Sequence, residues 1–181
     1  MGVTIIWDHQ VPTGLQMPVG RRIDLVLGTS PGHADAEGLI NGYHPERNQY
    51  DARAVLERVL FMKRRADSRD PALLVVTHDL FIDGCDFVFG LARPSTGCAV
   101  VSLARLDNAY YGRPSAFDDL ADRVAKEGAH EIGHLLGLEH CADPECVMFK
   151  PETLDDLDRK RMRLCPACRA RLRDGPSGEK C

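Results

Sequence analysis

The chain contains no apolar run approaching the roughly 18 residues that a membrane-spanning helix requires, which excludes that kind of anchor. It has no internal repeat and no low-complexity tract, so a solenoid or a disordered polar segment is also excluded. Positive charge is not in excess: 23 Lys and Arg stand against 27 Asp and Glu, a net charge of -4. The whole molecule therefore has no nucleic-acid footprint. Met1 to Gln10 lacks the basic and apolar regions of a secretory leader. Met1-Gly2 does not start a myristoylation signal, because Ile6 stands where Ser or Thr is wanted.

What is there is a chain of 181 residues, 44% hydrophobic and 28% charged. That is one domain, or one domain with a small appendage, with enough apolar content for a core. The seven cysteines are an odd number, and four crowd between Cys141 and Cys168. Without a secretory signal, such thiols read as reduced metal ligands rather than disulfides, which points to a cytoplasmic setting.

Val3 to Trp7 and Arg22 to Leu27 read as short buried strands, and Thr29 to Gln49 as loop. Helical apolar spacing from Ala52 to Met62 predicts a helix over about Tyr50 to Arg65. Ala72 to Val76, after Pro71, reads as a central strand. Phe87 to Leu91 and Cys98 to Leu103 follow as strands around the turn residues Arg93 to Gly97. A long helix is expected from about Ala116 to Leu136, capped at Pro114-Ser115 with Asp118. Phe117, Leu120, Val124, Ile132 and Leu135 would form its buried face. A last helix is expected over about Leu154 to Leu172, with Thr153 and Asp156 as its capping pair. This order predicts an α/β or α+β main domain with a small C-terminal subdomain.

The long helix carries H-E-x-x-H-x-x-G-x-x-H from His130 to His140. Residues i and i+4 share a helix face, so His130 and His134 can grip one ion, with Glu131 offset toward a ligand of that ion. His140 could not join them on a continuing helix. Gly137 solves this, because glycine takes the left-handed conformation that ends a helix and lets the chain turn back. Three neutral imidazoles leave a fourth zinc position to water, as in catalytic sites. Zinc lowers the pKa of that water toward about 7, and Glu131 is placed to take its proton during attack on a carbonyl. Amide hydrolysis is the reaction that fits best.

Cys141, Cys146, Cys165 and Cys168 form C-x4-C and C-x2-C pairs, within the usual range for a closed structural zinc. The alternatives are unpaired thiols or a disulfide in the second pair. His140 and Cys141 have Cα atoms about 3.8 Å apart yet would serve different ions. The two metals should then lie within about 15 Å of one another.

With Met148 downstream, the motif resembles the metzincins. His140-Cys141-x4-Cys146-Val147-Met148 with Cys165-x2-Cys168 is similar to archaemetzincins in particular, as are Arg47-Asn48-Gln49-Tyr50, Phe87-Val88-Phe89-Gly90 and Val101 to Leu106. The resemblance covers about Arg47 to Leu172; before Arg47 no family signature is found. It implies a zincin-like fold: a twisted mixed sheet, an active-site helix beneath a cleft, and a small zinc-stapled helical subdomain. The lobes would divide as 1–137 and 138–181. It also implies that Met148 is the Met-turn residue, and that Phe87 to Leu91 is the edge strand of the cleft. From the residues alone, an interior strand is an equal reading of that segment.

The expected molecule is a monomeric zinc metallopeptidase acting on a peptide or protein, with two Zn2+ ions and no membrane or nucleic-acid partner. Its alternative is a binding module on the same scaffold with low or absent activity. Acid early and base late in the last helix (Asp155, Asp156 and Asp158, then Arg159 to Arg173) read as a solvated helix complementing its dipole. A nucleic-acid contact there is the lesser reading. His9, His33, His44 and His78 show no ligand spacing. Cys85 and Cys98 are expected as buried apolar residues and Cys181 at a frayed end. Tyr110 and Tyr111 could reach the cleft.

Overall fold

The computed structural model describes residues 2–37 and 41–174. The chain opens with β1 (Thr4–Asp8), α1 (Gln16–Leu27), β2 (Gly32–Ala36), β3 (Tyr43–His44), β4 (Gln49–Asp51) and α2 (Ala52–Arg65). It continues through β5 (Ala72–Val76), β6 (Leu80–Ile82), β7 (Cys85–Val88), β8 (Gly90–Arg93), β9 (Cys98–Ser102), α3 (Phe117–Leu135), α4 (Leu154–Arg159) and α5 (Pro166–Asp174).

The main sheet has the order β2-β1-β5-β9-β8. Its first four strands are parallel, and β8 runs antiparallel to β9 at the edge. Both β5 and β9 are buried along their whole length, as parallel strands covered on two faces must be. Alternate residues serve the two faces. Ile5, Trp7, Leu73, Val75, Ala99 and Val101 pack with Ile23 of α1 and Val124, Ala125 and Ile132 of α3. Ile6, Leu74, Val76 and Val100 pack with Val55, Leu56 and Val59 of α2. The fold is thus α/β with a mixed sheet, as expected. A second, four-stranded sheet of order β3-β4-β6-β7 adjoins it.

Four local expectations are corrected. Arg22 to Leu27 is the second half of α1, not a strand. Ile23, Leu25 and Leu27 alternate like a strand, but Leu25 is 83% exposed. The buried set Val19, Gly20, Ile23, Val26 and Leu27 has the helical period, and Gly28 (φ 65) ends the helix. Thr29 to Gln49 is not all loop: Gly32–Ala36 is an edge strand held by main-chain pairing to β1, so its side chains other than Ala36 are exposed and carry little apolar signal. The long C-terminal helix is two helices. The chain leaves helical geometry at Lys160 (ψ 138), and Pro166 starts the second helix, where its missing N–H costs nothing. The expected cap of α3 is absent: Ser115 donates instead to Asp107 (3.1 Å), and Phe117 is 51% exposed.

The Thr153–Asp156 capping box is formed, each side chain bonding the other's backbone N–H. Phe87 to Leu91 spans the end of β7 and the start of β8, with Phe89 between the two sheets. Cys98 is buried, whereas Cys85 is exposed, which corrects its expected burial; Cys181 lies outside the described residues.

Candidate metal centres and cleft

Helix α3 forms because Ala121, Val124, Ala125, Ala129 and Ile132 give it one apolar stripe against β5, β8, β9 and α1. Among its other buried residues are Glu127, His130 and Glu131, which make the site. Gly137 adopts φ 89 after the last turn, and Leu138 N–H donates back to Gly133 O at 2.9 Å. The reversal brings His140 over His130, with ring centroids 5.3 Å apart. One ring nitrogen from each of His130, His134 and His140 lies within 4.8 Å of the other two.

The orientation of two rings is fixed from outside. His130 Nδ1 lies 2.9 Å from Val147 O, and His134 Nδ1 lies 2.8 Å from Leu138 O. A carbonyl only accepts, so each Nδ1 carries the proton and donates. Both Nε2 atoms then present lone pairs, and they face each other at 3.1 Å. Two lone pairs so placed repel unless they share a cation. Nitrogens about 2.0–2.1 Å from a tetrahedral zinc would stand about 3.3–3.4 Å apart, close to what is seen. Burial, reinforced by the Lys160 charge, holds the His130 pKa down at about 2. Burial and His134 lower that of His140 as well. Neutral imidazoles are what a metal requires.

Met148 is buried directly against α3. A Cβ on Gly133 would meet Met148 Sδ at 2.5 Å, so glycine at this helix position is what admits the thioether. Met148 O accepts from Cys141 N–H at 2.9 Å, and Val147 N–H donates to Arg163 O at 2.9 Å.

Cys141, Cys146, Cys165 and Cys168 also come together, their sulfurs within 4.8 Å of one another. The Cys141–Cys165 separation of 3.7 Å matches the about 3.8 Å between two sulfurs 2.3 Å from a tetrahedral zinc. Backbone N–H groups of Asp143, Cys165 and Cys168 point at the sulfurs of Cys141, Cys146 and Cys165 at 3.3–3.4 Å. The Cys168 N–H lowers the Cys165 thiol, whereas burial raises Cys146 and Cys168. No pair is joined as a disulfide. Both donor sets fit zinc.

Glu131 is buried beside the histidines. Its carboxyl is held well above the usual range by burial and by neighbouring Glu127, with Lys160 opposing. A Cβ on Gly90 of β8 would come within 2.7 Å of Glu131 Oε1, so the edge strand passes directly against this carboxylate. A cleft of about 630 Å³ opens here, between Gly90, Leu91 and Ala92 on one wall and Lys150, Pro151 and Glu152 on the other. Tyr110 and Tyr111 do not line it; Tyr110 lies against Arg105, and Tyr111 donates to Arg105 O.

Sequence reasoning missed three contributors. Glu127 lies a turn before Glu131 and could have been found by i, i+4 spacing. Lys160, set aside with the solvated basic residues, is 1% exposed and reaches Glu127. Gly90 was quoted without a role.

A helix presenting three convergent imidazoles and a carboxylate beneath an edge strand, with a four-cysteine cluster below, is the scaffold of a zinc metallopeptidase. A profile of peptidase family M54 matches residues 18–174, and the chain belongs to this family. The match begins well before Arg47, so the first helix is part of the family pattern too. The archaemetzincin of Pyrococcus furiosus is 39% identical over 150 residues, covering 82% of this chain and 75% of that protein. The solved zinc-dependent peptidase of Methanocorpusculum labreanum superposes with a TM-score of 0.90 at 42% identity, covering 94% of this chain and all of that one. Archaemetzincin from Methanopyrus kandleri gives 0.80 at 30% identity over 96% and 94% of the two chains.

Proposed function

We propose that this chain hydrolyses peptide bonds, with His130, His134 and His140 holding the catalytic zinc and Glu131 acting as the base. One observation carries this reading: two Nε2 lone pairs fixed face to face at 3.1 Å by carbonyls on their far sides. When bound, zinc supplies Lewis-acid polarisation of the substrate carbonyl and acidifies water. The residues do the rest. The open edge of β8 pairs with an extended peptide main chain, which lays the peptide across Glu131. Glu131 takes a proton from the attacking water and passes it to the leaving amine.

Cys141, Cys146, Cys165 and Cys168 hold a second zinc, which ties α5 to the loop after His140, and Met148 is the apolar floor. Residues 1–137 and 138–181 act as two lobes of one catalytic unit, supported by a core that runs unbroken from Ile5 to Cys168. The chain works as a monomer on peptide or protein, without nucleic acid, in the reducing cytoplasm its thiols require. The test is a peptide-library assay of zinc-loaded wild type against Glu131→Gln. Turnover in the wild type alone is expected; equal turnover in both would remove Glu131 as the base. Metal analysis of protein prepared without chelator should find two zincs per chain.

A further inference from the structure

The cleft extends past Glu131 toward the start of α3. Glu127, one turn earlier on the same helix face, lines it and is only 3% exposed. Its partner is Lys160, which enters from the end of α4 with its Nζ 3.5 Å from Glu127 Oε2. Lys126, the neighbouring cation on α3, is engaged by Asp122 (2.7 Å) and by the carbonyl of Asp158 (3.4 Å). Leu91, Ala92 and Pro151, on the facing walls, bring no charge. Asp86, Lys150 and Glu152 also line the cleft, and all three are exposed. Glu127 is therefore a buried carboxylate lining this end of the cleft, with Lys160 as its ion-pair partner.

We propose that this end of the cleft is a subsite for an Arg or Lys side chain on the substrate residue whose amine leaves, and that Glu127, positioned by Lys160, selects it. The proposal rests on the peptidase reading: Glu131 protonates the leaving amine, so the side chain of that residue falls next to Glu131. A cation there donates to Glu127 alongside Lys160. A glutamate would meet the like charge of Glu127. A leucine would bury that carboxylate further without adding a hydrogen bond to it.

Four peptides differing only in the residue after the scissile bond (Arg, Gln, Leu or Glu) test this with zinc-loaded protein. Cleavage is followed by mass spectrometry, and binding of uncleavable reduced-amide analogues by calorimetry. Arg should exceed Glu by about tenfold or more in both readouts, and the gap should close to within about twofold in Glu127→Gln. Should that variant fold poorly, Glu127→Gln combined with Lys160→Met, which replaces the pair by uncharged groups of similar size, should close it equally. Leu ranking first in the wild type would overturn the subsite, as would an unchanged Arg-to-Glu gap in the variants. Analogues ranking as expected without any cleavage would sink the peptidase reading and leave the subsite standing. Cleavage with no ranking would do the reverse.

Discussion

Gly133→Ala should destabilise this protein, although glycine to alanine inside a helix ordinarily stabilises by about 1 kcal/mol. The added methyl would lie 2.5 Å from Met148 Sδ and 3.1 Å from its terminal methyl. Met148 is fully buried, so any shift of its thioether must repack the core around it. Overpacking of this kind costs about 1–3 kcal/mol, which offsets the propensity gain and leaves a net loss of about 0–2 kcal/mol. The larger effect is on the histidines. Val147, next to Met148, holds His130 Nδ1 through its carbonyl. Displacing such an outer hydrogen bond lowers metal affinity by about 10–100-fold. Denaturant unfolding of zinc-free protein and chelator competition for the histidine-bound zinc measure the two effects. Met148→Ala alone should cost about 2–5 kcal/mol through its cavity. The double variant should cost less than the sum of the two, because each change relieves the other. A Gly133→Ala protein that is more stable by about 1 kcal/mol, with unchanged zinc affinity, would refute the contact between Met148 and the helix.

Cys165→Ser should lower zinc stoichiometry and also weaken binding at the histidines, because Cys141 N–H holds Met148 O and Val147 N–H holds Arg163 O; undiminished histidine-site affinity would sever the two centres. Gly90→Ala should lower kcat by about 100-fold through displacement of Glu131, while zinc affinity in chelator competition stays near wild type; full turnover would mean the carboxylate moves aside freely. His130 has a folded pKa of about 2 against an ordinary 6.5, so the unfolded chain binds the extra proton between these values. Metal-free protein should therefore be fully stabilised above pH 6.5 and lose up to about 1.4 kcal/mol per pH unit below it. Denaturant melts at pH 7, 6 and 5 give this slope, and a His130→Gln control that loses stability just as steeply would remove His130 as the cause.

Legibility in the sequence followed how local each signal was. The chain reversal at Gly137, the capping box at Thr153 and the fully buried β5 depend on neighbours within a few residues, and all three were readable. The convergence of Cys141, Cys146, Cys165 and Cys168 was readable because ligand spacing is itself a geometric constraint. β2 was not, because an edge strand is held by its backbone and leaves its side chains in water. Arg22 to Leu27 misled because three alternating aliphatics satisfy a strand, and the helical period shows only when Val19 and Gly20 are included. Lys160 was hidden by its company. Arg159, Arg161 and Arg163 are exposed, and nothing local says that the lysine among them turns inward to a glutamate 33 residues away.

Among the described residues, the ribbon formed by β7 and β8 pairs on one side only, Cys85 and Val88 to β6 and Gly90 to Arg93 to β9. Its other side faces the cleft, across which stand Lys150, Pro151 and Glu152. A polypeptide already paired in its own sheet or wound in its own helix cannot present the free main chain this edge accepts. If a peptide pairs with β8 as proposed, selection would be conformational before it is chemical, favouring segments that are unfolded, terminal or looped out.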